Sequence, residues 1–326
     1  MRFKQTLELV EHALDLDKPT MLWGPPGIGK SQLMRSTNHT AFIDLRLVLL
    51  DAVDLRGLPA RDGDKMRWLP VGELPHEPTE RGILFLDEIN AAEDDVMQAA
   101  LGLVLDRRLG DYEVPEGWRI MAAGNRAEDR TGARDLPSAL ANRFLHIDMT
   151  ANLDDWVDWA STSGQMPHEL VSFLRFKTDL IHSFSPDHRR NPTPRMWETV
   201  GQIINDPGIE GRAEIGLIAA AVGEGPAQDL VSFLNIARSL PNVDEILVDP
   251  MAQSVPSEPA VIFATIGAIC HRVQRETAAN FITYVNRFSS EYTAMAVKTA
   301  VTMKEDLYST AAFTQWCLDN QEIFSV

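Results

Sequence analysis

The chain has 326 residues, 44% hydrophobic and 24% charged, which excludes fibrous and disordered classes and leaves room for two or three globular domains. Its 47 Asp and Glu outweigh 30 Lys and Arg, giving a formal net charge of −17. That balance repels nucleic acid and anionic membrane at long range and argues against direct binding of either without a local basic patch.

Phe3, Leu7, Val10 and Leu14 recur at helical spacing and predict an opening amphipathic helix. Thr20–Trp23, after Pro19, reads as a buried strand. Further apolar runs predict strands over Ala41–Leu47, Ile83–Leu86, Trp118–Ala123 and Phe144–Met149. Runs this continuous suit strands covered on both faces, as in a parallel sheet with crossover helices. The stretch from Gly57 to Gly82, with Pro59, Pro70, Pro75 and Pro78, predicts an ordered surface loop. Arg107–Pro115 contains a Gly-Asp turn between short extended pieces and predicts a hairpin.

After about Thr150 helical periodicity dominates: Leu153–Ala160, Glu169–Leu180, Arg195–Ile204, Leu230–Leu240 and several more up to Phe324. Pro241, Pro250, Pro256 and Pro259 mark a break. The expected organisation is an α/β domain over 1–150, a helical region over 151–240 and a C-terminal helical extension over 241–326. No run reaches the ~20 apolar residues that cross a bilayer, and the amphipathic N-terminus lacks the apolar segment of a leader. Cys270 and Cys317 read as reduced, buried thiols, and a cytoplasmic location is expected. No Cys-x-x-Cys or His-Glu-x-x-His spacing offers a transition-metal site.

One motif is specific. Gly24, Pro25, Pro26, Gly27, Ile28, Gly29, Lys30 and Ser31 match G-x-x-x-x-G-K-[ST], followed by Gln32, between a predicted strand and a predicted helix. Its glycines let successive N–H groups converge on phosphate oxygens. Lys30 can reach the β- and γ-phosphates, and the Ser31 hydroxyl can ligate Mg²⁺. In Ile83–Glu88, a buried strand ends in two acids. Asp87 suits Mg²⁺ through its water shell, and Glu88 suits polarisation of an attacking water. The pairing implies ATP as ligand, with Ser31 and Asp87 as the metal-holding residues.

With these motifs, and with AAGNR, LPSALANRF and PTPRMWE following in order, the sequence resembles the AAA+ ATPases, and within them the MoxR-like group, over roughly residues 1–205. The resemblance implies a P-loop NTPase parallel sheet followed by a helical lid. It also implies roles: Asn125 as the sensor that bonds the attacking water or γ-phosphate, Arg143 as the arginine that reaches a neighbouring subunit's ATP, and Arg195 as a lid residue contacting the γ-phosphate. Each has a plain alternative: an Asn capping a turn, an Arg at a helix end, a solvated basic loop. Arg130, Arg134 and Arg126 rival Arg143; Arg189 and Arg190 lie near Arg195.

The resemblance further implies a homo-oligomeric ring, a hexamer, that spends ATP on remodelling a client protein, with a separate von Willebrand A domain protein as a partner. Asp51–Gly63, with Arg56 and Gly57, and the Arg107–Arg108 hairpin are candidate central-pore or client contacts; Trp68 reads as a core residue, with a docking aromatic as the alternative. Other readings remain open: the ATPase subunit of a DNA-processing or restriction system, a slowly hydrolysing scaffold, or a small-molecule kinase.

Overall fold

The protein is described from a computed structural model, over residues 1–321 except 70–71, 127–128, 130–131, 164, 186, 239 and 241. It divides into two compact units, Met1–Asn152 with Phe184–Arg189, and Leu153–Ser183 with Arg190–Val326.

The first unit runs α1 (Phe3–Asp15), β1 (Thr20–Trp23), α2 (Lys30–Arg35), β2 (Ala41–Arg46), α3 (Ala52–Arg56), β3 (Leu58–Asp62), β4 (Lys65–Leu69), β5 (Gly82–Asp87), α4 (Asp94–Asp106), β6 (Arg108–Leu109), β7 (Tyr112–Glu113), β8 (Trp118–Gly124), α5 (Ser138–Ala141) and β9 (Leu145–Asp148). Its main sheet has the order β2-β5-β8-β1-β9, and every pairing in it is parallel. The side chains alternate between two cores. Ile83, Phe85, Met121 and Ala123 pack with Val10, Leu14, Leu33 and Met34 of α1 and α2. Leu84, Leu86, Ile120 and Ala122 pack with Val96, Ala100 and Leu103 of α4. Both faces of β1 and β5 are covered, which is why they read as apolar runs, while the edge strands β2 and β9 stay partly exposed.

Two readings change here. The Gly57–Gly82 stretch is not all loop: β3 and β4 pair antiparallel from Leu58↔Leu69 to Asp62↔Lys65. Pro59 is tolerated because a two-stranded ribbon leaves edge positions that need no donor. Trp68, at 36% exposure, is not in the core; it lies on this exposed ribbon, and its backbone N–H donates to Asp111 at 2.9 Å. The expected hairpin after α4 is present as β6–β7. Arg107 precedes it with φ 55°, and its guanidinium donates to the Trp118 carbonyl at 2.7 Å. Arg107 thus holds backbone, which leaves Arg108, paired with Glu113 at 2.9 Å, as the exposed base.

The second unit is helical: α6 (Leu153–Ser163), α7 (His168–Phe176), α8 (Pro194–Asn205), α9 (Arg212–Val222), α10 (Glu224–Arg238), α11 (Val243–Val248), α12 (Pro259–Arg272), α13 (Ala278–Val285), α14 (Ser290–Met303) and α15 (Ala311–Asp319). The helix expected over Glu169–Leu180 stops at Phe176 and continues as a 3₁₀ turn from Thr178. Leu230, Phe233 and Leu234 are buried with Phe173 and Trp197. Helix α12 gives Ala260 and Ala264 to that cluster and Ile262, Ile266, Ile269 and Cys270 to a second one around Phe281 and Phe313. Burial pushes the Cys270 thiol up to about 12, with Arg175 and Lys304 pulling the other way. Cys317 is only half-buried, against the expectation for both thiols; it packs at the margin of the cluster around Phe281 and Phe313. Both cysteines are free. Among the described residues no helix is long and apolar enough to cross a membrane, and no cluster of three metal-ligating side chains is present. Pro241, Phe324 and Arg130 lie outside the described residues, as does Pro70.

Candidate nucleotide site

The site is built where the parallel strands end. β1 runs into Gly24, and the turn that follows places Gly27 at φ 78° and Gly29 at φ 95°, values that favour glycine strongly over any L side chain. Gly24 has a different constraint: a Cβ there would meet the Met149 carbonyl oxygen and Ile28 Cδ1, each at 2.6 Å. Ile28 is buried and anchors the turn in the core below it. Pro25 and Pro26 stay half-buried, and Gln32 lies exposed on α2.

Lys30 Nζ donates to the carbonyls of Gly24 at 2.6 Å and Pro25 at 3.0 Å, and to Asn125 Oδ1 at 2.8 Å. Ser31 Oγ donates to Asp87 Oδ2 at 2.7 Å. Asp87 is 8% exposed, and its other oxygen accepts from the Glu88 backbone N–H at 3.0 Å. A hydroxyl and a carboxylate that meet edge to edge form the oxygen-donor pair that a hard divalent cation takes. Glu88 has φ 56°, an uncommon conformation for a non-glycine residue. This sharp turn ends β5 and leaves the Glu88 side chain half-buried beyond the strand.

The strand order explains why these groups converge. β8 lies between β1 and β5, so the acid-bearing strand is not the immediate neighbour of the P-loop strand. Asn125, directly after β8, falls between the two and bridges to Lys30. The structure thus gathers Gly24, Pro25, Lys30, Ser31, Asp87, Glu88 and Asn125 at one edge of the sheet.

The arginines of the first unit differ in their bonding. Arg143 is exposed just after α5, and among the described residues its guanidinium has no hydrogen-bond or ion-pair partner. Arg134 is engaged with Asp94 at 2.9 Å and Glu93 at 3.4 Å, and Arg126 with Asp148 at 3.0 Å. Arg195 belongs to the second unit. It is exposed in the first turn of α8, which opens with Pro194 at its first position and with Thr193 Oγ1 accepting from the Met196 N–H.

One residue escaped the motif reading. Asn90 is 1% exposed. Its Nδ2 donates to the Asn125 carbonyl at 2.8 Å and the Arg134 carbonyl at 3.0 Å. The signal was present two residues after Glu88, an amide inside an otherwise apolar run, but its partners are 35 and 44 residues away and cannot be read from spacing.

Residues 19–144 match the AAA domain, dynein-related subfamily. Midasin from Giardia intestinalis is 30% identical over 164 residues, 45% of this chain but 3% of that protein, so the chain spans a small fraction of its relative's length. Among solved structures, NtrX from Brucella abortus is similar at 16% identity and TM-score 0.45, covering 94% of this chain and 67% of that one. The Thermotoga maritima RuvB Holliday junction branch migration motor is similar at 17% identity and TM-score 0.36, covering 83% and 80%. The parallel sheet and the P-loop between β1 and α2 define an α/β AAA+ fold. Residues 19–144 thus carry an AAA domain within that fold.

Proposed function

We propose that the chain is the ATPase of a MoxR-like ring, a hexamer, that remodels or activates a partner protein complex. The observation that carries the hydrolytic part is the pair of bonds Lys30–Asn125 and Ser31–Asp87, which sets a phosphate-binding cation, a polar amide, a hydroxyl and a carboxylate at adjacent strand ends. The turn Gly24–Gly29, with Gln32 beyond it, receives the triphosphate on its N–H groups. Ser31 and Asp87 would hold Mg²⁺, which would supply charge neutralisation to the transferring phosphoryl group. Glu88 takes the proton of the attacking water, and Asn125 orients that water.

Arg143 acts on a neighbouring subunit's nucleotide. In support, it is exposed and has no hydrogen-bond or ion-pair partner among the described residues, while its rivals Arg126 and Arg134 are paired. An arginine acting in trans requires head-to-tail subunits, which close into a ring when the rotation permits. Support for Arg195 as a γ-phosphate contact is its motif and its exposure. On this reading 1–150 is the nucleotide domain, 151–240 the lid and 241–326 an extension, with a client protein and a separate von Willebrand A domain protein as partners in the cytoplasm. Exposed Leu58, Met66, Trp68 and Leu69 on β3–β4 support that ribbon as the client-facing element.

Glu88→Gln tests the core of the reading. ATP binding measured by calorimetry should persist, while hydrolysis falls by about 10²-fold or more. Unchanged turnover removes Glu88 from the mechanism. A trapped partner recovered with the Glu88→Gln protein and ATP identifies the client.

A further inference from the structure

Asn90 is built into the strand-end cluster through the backbone of Asn125 and Arg134. Both of its Nδ2 hydrogens are committed, one to the Asn125 carbonyl and one to the Arg134 carbonyl. Two carbonyl acceptors fix the amide's orientation, because Oδ1 placed there would face two oxygens. Its own backbone carbonyl accepts from the Arg134 N–H at 2.8 Å. Among the described residues Oδ1 is buried with no hydrogen-bond partner, a cost the fold retains. That oxygen lies 2.3 Å from where a Cβ on Gly124 would stand, so Gly124 is bare where Asn90 approaches the end of β8. Asn125, the next residue, is therefore held from both sides: its carbonyl by Asn90 and its side-chain oxygen by Lys30.

We infer that Asn90 is a positioning residue for ATP hydrolysis, clamping the Asn125 and Arg134 peptides to the strand end that carries Asp87 and Glu88. The inference rests on the hydrolytic reading above and deepens it. The amide that reaches Lys30 is set by the turn that presents Glu88, so water-orienting and proton-accepting groups share one rigid mount. The same clamp fixes Arg134, whose guanidinium is spread over Asp94 and Glu93 at the start of α4. It therefore also anchors the segment leading to α5. Misplacement of a catalytic group by about 1 Å costs on the order of 10²-fold in rate, so losing the clamp should act on turnover more than on binding.

The test is a double-mutant cycle on the full chain with Mg-ATP. Asn90→Leu, of similar volume and without the donor, should lower kcat by about tenfold to a hundredfold while KM moves by less than about threefold. In an Asn125→Ala background the same substitution should cost less than about threefold, since the group it positions is gone. Gly124→Ala, which drives a Cβ into Asn90 Oδ1, should reproduce the kcat loss from the opposite side. Hydrogen exchange over residues 132–136 should quicken in Asn90→Leu. Unchanged kcat, or losses that multiply fully in the double variant, would overturn the inference. If Asn90→Leu shows no cooperative unfolding, Asn90→Ser and Gly124→Ala decide by the same readouts. A wild type that hydrolyses no ATP would sink the hydrolytic reading alone; the exchange experiment would still decide the clamp, with unchanged exchange overturning it.

Discussion

In the first unit, polar side chains at the strand ends are bonded to one another: Lys30 to Asn125, Ser31 to Asp87, Asn90 to the backbone of Asn125 and Arg134. In the second, Arg175 Nε and His168 Nδ1 are buried with no hydrogen-bond partner among the described residues. Around them lie aromatic and aliphatic packing, with Phe173 against Trp197 at 5.8 Å and His168 against His271 at 4.7 Å. Mutual bonds fix where the bonded atoms point, which chemistry needs, even though Asn90 Oδ1 is unpaired among the described residues. Burial without such bonds shifts protonation and tolerates it. The contrast predicts that substitutions in the first unit change rate without much change in stability, and that those in the second change stability and its pH dependence.

The largest effect should come from Arg143→Ala. On the proposed role it loses about 10³-fold or more in turnover, yet its exposure predicts a stability change within about 0.5 kcal/mol by denaturant unfolding. Mixing it with Lys30→Ala should restore part of the activity. A mixture that assembles but stays inactive would count against a trans role.

Next is Trp197→Ala, at the centre of the second unit. Trp197 is fully buried, and its Nε1–H donates to the Leu180 carbonyl at 2.6 Å. Its loss should cost about 3–5 kcal/mol in chemical denaturation; a cost under about 1 kcal/mol would mean that this core is not close-packed.

Gly24→Ala cuts across the comparison. The new methyl meets backbone at Met149, which cannot swing away, so about 1–3 kcal/mol of stability should be lost together with nucleotide affinity. Affinity lost at full stability would show that the turn, not the sheet, absorbs the strain.

The smallest effect is at His168. Burial first, then the neighbouring His271 and Arg272, push its pKa below the ordinary value, opposed by Glu169. The folded state therefore binds fewer protons than the unfolded one through the region below the ordinary histidine pKa, and stability falls as pH drops through it. Its neighbour Arg175 is likewise held below its usual value by burial. His168→Gln should flatten the slope of melting temperature against pH between about 7 and 5; an unchanged slope would assign it to other groups.

Much of the site was legible because the phosphate turn is local. Gly27 and Gly29 need positive φ within a few residues of Lys30 and Ser31, so the constraint is written in contiguous sequence. The strand runs were legible for a related reason: burial on both faces leaves Ile83–Leu86 of β5 and Ile120–Ala123 of β8 without a polar residue. The β3–β4 ribbon was misread because proline and glycine report local backbone, while antiparallel pairing depends on the partner strand. Trp68 was misplaced because an aromatic carries no label for the side of the ribbon it occupies.

By itself, then, the sequence determined the phosphate turn, the acid-ended strand and the shift from alternating elements to helices, all set by neighbours along the chain. Only the tertiary structure decided that β8 intervenes between β1 and β5, that Asn90 holds Asn125 and Arg134, and that α12 serves two cores. Those facts depend on pairing and packing between residues tens of positions apart. No local preference encodes them; they are fixed when the chain closes the sheet and buries its helices together.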